Sequence, residues 1–495
     1  MRQTFQQALH IFRKDARYLK RETTLVALLA MTFALLHARA LFASKGSGLG
    51  EIALSVSAAF LIGRLVLAEA IPGDRQFWIT RPYRWQSLLG AKLLFIVVFV
   101  SFPIFLAQFL ILIIDGFPLL SNFPGLLWSQ VLLLIFIWLP VAAIAALNSG
   151  FAPFIFSQLI VLAADLGYGQ LMPSSPPHLA AVEWVRESIA AAALLAIAAA
   201  VLLGQYKSRR TAFGRSVAIG GVATSALLLA VFPWTFALAM QSRFSKAPAI
   251  ASSISVALED GSDPPVWLPR SSKIELRVPV AVKGIPGGTE ILADALKISL
   301  RGGDGRSVDL RVADCPELKR QTVSASSAII SAVCTAGEEF FQRQRGQPVT
   351  IRGSLYLTLL GNARSKTIPL SDQPADAIDG LQCYTDNVRA EWDVYCRSAF
   401  RWPSRMIYSK LGHTDANSFA DGVPYSPFPA NLNIEPVQTN WASGFASGPT
   451  PVVRDVTIVA EEPLAHFRRD FESTAVRLNR FEDPSVRYLR PQPIQ

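Results

Sequence analysis

Through residue 246 the chain alternates long apolar runs with short polar gaps, and after that the rhythm changes. Seven apolar runs lie at 23–43, 51–71, 92–114, 125–147, 151–166, 187–205 and 216–238. A helix needs roughly 20 apolar residues to cross about 30 Å of hydrocarbon. The fifth run is shorter and leads into the Gly/Pro-rich piece 167–180, as a broken or re-entrant helix would. The pattern predicts an α-helical membrane domain with about seven transmembrane helices. Ahead of the first run, Phe5, Leu9, Phe12, Ala16 and Leu19 recur at spacings of three and four, among Arg2, Arg13, Lys14, Arg17, Lys20 and Arg21. One apolar stripe with basic flanks predicts an amphipathic helix over 1–22, lying in the bilayer interface against anionic headgroups.

Beyond residue 240 the period shortens to two. Ser253–Leu258, Lys273–Val278, Leu296–Arg301, Ser307–Val312, Val349–Leu359 and Val452–Ala460 alternate apolar with polar positions, as half-buried strands do. Turn signals separate them: Gly284-Ile285-Pro286-Gly287-Gly288, and Gly302-Gly303-Asp304-Gly305, the latter read as a hairpin turn. The expected organisation is the interfacial helix over 1–22, the membrane domain over 23–240, and a C-terminal all-β, β-sandwich-like domain over 241–495. Within that domain, 402–450 reads as long loops and Glu461–Arg480 as including a short helix.

Charge gives these segments a direction. Residues 1–246 hold 20 Lys+Arg against 9 Asp+Glu, and the remainder 27 against 28. The excess sits at the N-terminus, in the 72–91 gap and in the 207–215 gap, whereas 115–124 has no basic residue and 44–50 has only Lys45. Basic gaps face the cytoplasm, and alternating sides through seven spans then leaves 241–495 extracytoplasmic. The charges punctuate apolar runs and form no stripe, which argues against nucleic acid as a partner. All four cysteines, Cys315, Cys334, Cys383 and Cys396, lie in that same C-terminal part, as expected of disulfides in an oxidising compartment. Of the three connectivities available to four cysteines, the sequence-near pairing 315–334 and 383–396 is expected. A metal site is not: no CxxC occurs and no His lies near these cysteines.

Catalytic motifs are missing. The sequence contains no GxxxxGK[ST], no HExxH, no GxSxG and no GxGxxG between a strand and a helix. The chain is therefore expected to be neither an ATPase nor another enzyme, and to carry no cofactor of its own. Intramembrane polar residues mark functional candidates, here Arg64 and Glu69 in the second run; Arg64 has the reach to snorkel to the interface. The strongest signal is the polar stretch Ile71–Lys92, in which Asp74, Arg75, Phe77, Trp78, Arg81, Pro82 and Trp85 mix cationic and aromatic side chains between two spans.

A basic interfacial helix, two spans, and then G-D-R-Q-F-W-I-T-R-P-Y-R-W-x-S-L-L-x-A-K-L-L resembles the permeases of ABC-2 type exporters over residues 1–240. The resemblance implies a bacterial inner-membrane permease subunit, multi-pass, with a cytoplasmic N-terminus and a periplasmic β domain. It implies a separate cytoplasmic ATP-binding-cassette ATPase, holding ATP and Mg, that docks on a coupling helix at 72–91. It assigns coupling to Asp74, Arg75, Phe77, Trp78, Arg81, Pro82 and Trp85, and a second permease half as partner in the bilayer. The seventh span and the large β domain depart from the family's usual six-span form. The rival reading is a membrane-anchored receptor or scaffold that presents the β domain and transports nothing.

Overall fold

The computed structural model describes residues 2–39, 47–68, 84–171, 182–208, 211–259, 273–310, 322–323, 327–344, 346–369, 371, 373–376, 378, 380–388, 391–399, 406–411, 414–419, 434–444 and 455–477. The helices are α1 (Arg2–Tyr18), α2 (Lys20–Arg39), α3 (Ser47–Leu67), α4 (Trp85–Ile114), α5 (Leu119–Leu147), α6 (Phe151–Leu171), α7 (Glu183–Ser208), α8 (Thr211–Ala230) and α9 (Trp234–Arg243). Among the described residues, four helices are long and apolar enough to cross a membrane: α3 over Leu49–Leu67, α4, α5, and α7 over Trp184–Ser208. Helices also occupy the first, fifth and seventh apolar runs; among the described residues the fifth contains a shorter apolar helix, Phe151–Ala164, α2 opens on Lys20, Arg21 and Glu22, and α8 carries Arg215 among several glycines.

Helix α4 starts at Trp85, seven residues ahead of the predicted span, so the end of the polar stretch belongs to a membrane-length helix. At 30 residues and 1.5 Å per residue it is roughly 45 Å long. Wide π turns interrupt it at Val97–Ser101 and interrupt α5 at Leu134–Trp138. A proline follows each, Pro103 and Pro140. Proline removes a backbone donor, and a π turn lets the hydrogen-bond register shift around the gap. The helical core is built on one-face repeats such as Leu54, Ala58, Leu61, Ile62 and Leu65 of α3, all fully buried, while Leu49, Ile52 and Val56 of the same helix are exposed. At Gly63 a β-carbon would lie 2.3 Å from the Phe154 ring, so glycine is what lets α3 and α6 approach.

A short helix α10 (Pro248–Ser253) leads into the β region. Its strands are β1 (Ser255–Leu258), β2 (Lys273–Lys283), β3 (Glu290–Arg301), β4 (Ser307–Leu310), β5 (Thr322–Val323), β6 (Ser327–Gly337), β7 (Pro348–Pro369), β8 (Ala375–Asp376), β9 (Gln382–Val388), β10 (Glu391–Ala399), β11 (Met406–Leu411), β12 (Thr414–Phe419), β13 (Val437–Gly444) and β14 (Asp455–Arg477). A short helix α11 (Glu338–Arg343) precedes β7. The Gly302–Gly305 turn joins β3 to β4, with Gly305 at φ +81.

Three sheets form: β1-β2-β6, β13-β10-β9-β8, and a larger one ordered β12-β11-β14-β7-β3-β4, with β5 also on β3. Strands β7 and β14, 22 and 23 residues long, pair antiparallel from Asp455↔Pro369 to Arg477↔Pro348. At about 3.3 Å per residue this ladder runs roughly 70 Å. One half packs under β1-β2-β6, where Val280, Val282 and Ile330 meet Ile351, Leu355 and Leu357. The other half packs under the four-stranded sheet, where Leu381, Cys383 and Cys396 meet Ile368, Val456 and Ile458. The β-rich part thus has two lobes sharing one hairpin.

Two expectations need correction. Glu461–Arg477 is strand, not helix: the long side chains that favour a helix are overridden by the ladder with β7, which buries Ala465, Phe471 and Val476. The 402–450 stretch, read as loops, contributes β11, β12 and β13, short polar strands recruited by pairing. At Gly353 of β7 a β-carbon would lie 2.1 Å from the Phe471 ring on the neighbouring strand. Gly353→Val is expected to destabilise the β region by about 2 kcal/mol, read as a lower Tm for loss of near-UV circular dichroism. An unchanged Tm would mean that the ring moves freely.

Candidate functional site

Of the residues assigned to coupling, Asp74, Arg75, Phe77, Trp78, Arg81 and Pro82 lie outside the described residues, as does Glu69. Trp85 is described: it is half-buried and opens α4. Around it, α1 is fastened to α4. The Arg84 backbone N–H donates to Gln7 Oε1 at 3.3 Å, its guanidinium donates to Thr4 Oγ1 at 3.4 Å, and Ser87 Oγ donates to the Thr4 carbonyl at 3.0 Å. One turn on, Lys92 Nζ and Asp15 Oδ2 are 2.8 Å apart, with side chains 3% and 5% exposed. Phe12 stacks on Phe99 at 5.7 Å and meets Phe95 edge-on at 6.2 Å. The face of α1 turned to α4 therefore runs through Thr4, Gln7, Phe12 and Asp15, whereas Phe5 stays 67% exposed. An open groove of ≈ 420 Å³ lies beside this contact, lined by Thr4, Phe5, Arg84 and Gln86. Arg64 reaches Glu22 of α2 at 3.5 Å while still partly exposed, so it is paired as well as near the helix end.

A second charged cluster occupies the other end of α4, and sequence reasoning missed it. Asp115 follows the last residue of α4, where the helix dipole disfavours a carboxylate. Its side chain is wholly buried. Arg397 of β10 donates to Asp115 Oδ2, and His37 Nε2, near the end of α2, is 3.2 Å from the same oxygen. Gln382 Nε2 of β9 donates to the Asp115 backbone carbonyl at 2.9 Å. His37 Nδ1 lies 3.3 Å from Glu435 Oε1. Next to it, the Ile434 N–H donates to Glu51 Oε1 of α3 at 2.9 Å, and its carbonyl accepts from Gln108 Nε2 of α4 at 2.8 Å. Three helices thus converge on the four-stranded sheet.

The disulfide reinforces this grip. Cys383 and Cys396 are bonded and face each other across β9 and β10, and the next rung is Gln382 opposite Arg397. The two side chains that hold Asp115 are thereby cross-linked at the adjacent position. Of the expected second pair, Cys315 lies outside the described residues and Cys334 is on β6.

The β region meets the helices at another place. Val182, Trp184 and Val185 at the start of α7, with Ala237 of α9, pack on Ala295 of β3 and Tyr356 of β7. Phe244 meets Trp184 edge-on at 5.4 Å, and Arg186 lies over the Trp234 ring at 5.4 Å. Inside the larger sheet, Thr358, His466 and Asp294 form a hydroxyl–imidazole–carboxylate set. Thr358 Oγ1 is 2.9 Å and Asp294 Oδ2 3.1 Å from the same ring nitrogen, His466 Nδ1. A nucleophile–base–acid relay uses both ring nitrogens, and Thr358 is fully buried, so this is a hydrogen-bonded core set.

One sequence signal pointed to the α4 end: Asp115 is the only charged residue between Lys92 and Asp165. A lone carboxylate in so apolar a stretch needs a partner, but the cation that answers it is nearly 300 residues away. No protein-family model matches the sequence, and comparison with curated proteins returns no match. Among solved structures, the chain matches the crystal structure of red sea bream transglutaminase at 12% identity and a TM-score of 0.12, over 45% of this chain and 31% of that one. This chain spans about a third of that protein's length, and so slight a likeness carries no argument.

Two outcomes are expected. Breaking a buried ion pair leaves one charge without its counterion, so Lys92→Met should destabilise the protein by about 3 kcal/mol. Lys92→Met with Asp15→Leu together should recover most of that loss in thermal unfolding; equal loss in both would place the effect elsewhere. Burial holds the Glu435 carboxyl above its ordinary range, and Glu51 and Asp115 push the same way, against His37 and Arg397. Its ionised form is therefore disfavoured in the docked state, so docking should tighten as pH falls from neutrality toward the ordinary carboxylate range. Hydrogen-exchange protection factors at 434–437 should rise accordingly, and Glu435→Gln should flatten that dependence.

Proposed function

We propose that this chain is the membrane permease subunit of an ABC-type exporter, driven by a separate cytoplasmic ATPase that docks on the 72–91 stretch. The observation that carries this reading is the fastening of α1 to the first turns of α4 through Asp15–Lys92, Thr4–Ser87 and Gln7–Arg84. A push on the segment just ahead of Trp85 would be delivered to the first turns of α4 and to α1 as one unit. Asp74, Arg75, Phe77, Trp78, Arg81, Pro82 and Trp85 would form the docking surface. In this reading all seven apolar runs are spans, the N-terminus is cytoplasmic, and the β region lies in the periplasm of a bacterial inner membrane. The Cys383–Cys396 disulfide supports an oxidising side for that region. A second permease half, from a like or unlike chain, would complete the pathway.

Purification in mild detergent from cells expressing the neighbouring ATPase genes is expected to bring down an ATP-binding-cassette subunit, and Phe77→Ala with Arg81→Glu should abolish the association. Absence of any ATPase from the wild-type complex would overturn the permease reading in favour of a membrane-anchored receptor or scaffold.

A further inference from the structure

The β region touches the helices at two separate places, and the two contacts differ in kind. One is apolar and aromatic, built from Trp184, Ala237 and Tyr356, and lies where the chain itself passes from α9 into the sheets. That passage is cemented further. Lys246 and Ala247 donate their backbone N–H groups to the Leu464 carbonyl at 2.7 and 3.2 Å, and Arg469 donates to the Ile254 carbonyl at 2.9 Å. The other contact is polar and ionic: Arg397 and Gln382 on Asp115, Glu435 on His37, and Ile434 on Glu51 and Gln108. It forms more than a hundred residues further along the chain, through side chains that no adjacent covalent link to the helices holds in place.

We propose that the aromatic contact is a permanent anchor and the contact on Asp115 a releasable latch, so that the four-stranded lobe swings off the ends of α2, α3 and α4 while the rest of the β region stays seated on α7 and α9.

Three features support release at the polar contact. Charges buried together gain little net free energy over charges in water, because separation returns their hydration. Asp115 Oδ1 is buried with no hydrogen-bond partner among the described residues, so opening would expose one strong acceptor to bulk solvent with no protein hydrogen bond lost from it. The Cys383–Cys396 bond beside the Gln382/Arg397 rung makes the gripping side chains move as one piece. Holding the lobe in place are Ile434 and Val437, which join the helical apolar cluster; they set the closed position. The charged groups facing one another across this contact are His37 from α2, Glu51 from α3, Asp115 from the end of α4, Arg397 from β10 and Glu435 ahead of β13. The proposal needs no ATPase partner, so its outcome is separate from that of the transport reading.

The test is peptide-resolved hydrogen exchange on the full-length protein in lipid nanodiscs. In the wild type, peptides covering 112–118 and 434–437, the latter containing the Ile434 N–H that crosses to Glu51, should exchange at least tenfold faster, relative to intrinsic rates, than peptides covering 184–189 and 234–241. Arg397→Gln should speed the first pair tenfold more and leave the second pair at wild-type protection. Asp115→Arg combined with Arg397→Asp should restore protection. Equal protection of both contacts in the wild type, or loss at both together in Arg397→Gln, would overturn the latch and make the β region one rigid attachment.

Discussion

A charge inside a low-dielectric bundle must have a partner, and the arrangement of this protein follows from meeting that requirement at both ends of α4. Near its start, Lys92 is held by Asp15 of α1, 2.8 Å away and almost out of reach of water. At its end, Asp115 is held by Arg397 and His37. Neither pair adds much net stability over apolar residues of similar size, but each is costly to break on one side only. Such pairs therefore act as registration points: α1 can sit only where Asp15 reaches Lys92, and the four-stranded sheet only where Arg397 reaches Asp115.

The β region reaches two parts of the helical bundle because a single hairpin carries both lobes. The β7–β14 ladder gives its first half to the sheet β1-β2-β6 and its second half to the disulfide-bearing sheet. Irregularities in that ladder and in β3 are used structurally. The bulge at Asp294 and the register shift between Pro463 and Ala465 bring Asp294 and His466 to Thr358, filling polar needs in the sheet interior. The long ladder also explains why Glu461–Arg477 reads locally as helix and yet forms strand: its partner lies about a hundred residues upstream, and pairing outweighs propensity.

Much of the coarse plan was legible from periodicity. The apolar runs at 51–71, 92–114, 125–147 and 187–205 correspond to the four membrane-length helices. The period-two segments at 273–278, 296–301 and 349–359 are strands, and 302–305 is a hairpin turn. Boundaries were less legible. Helix α4 begins seven residues early because Trp85, Leu88 and Leu89 extend its apolar face into a stretch whose composition reads as polar. The helical stripe of α1 was drawn through Phe5, Leu9, Phe12, Ala16 and Leu19; Phe12, Ala16 and Leu19 do join the helical core, but Phe5 is exposed, and the charged Asp15 lies on the face packed on α4. A charged residue counts against a buried face until its partner is known.

The amino-acid sequence by itself determined that apolar helices precede a β-rich region, that Cys383 and Cys396 are neighbours along the chain, and that charge collects on one set of gaps. These are local properties, set by side-chain periods and by neighbours within a few residues. Only the tertiary structure decided which charges meet. Asp15 with Lys92, Asp115 with Arg397 and His37 with Glu435 join positions separated by 77 to nearly 400 residues. Pairings over such distances depend on where helices and strands come to rest, which one-dimensional spacing does not encode. The stretch at 71–92 stood out because its chemistry is local, and the cluster on Asp115 did not because its chemistry is assembled.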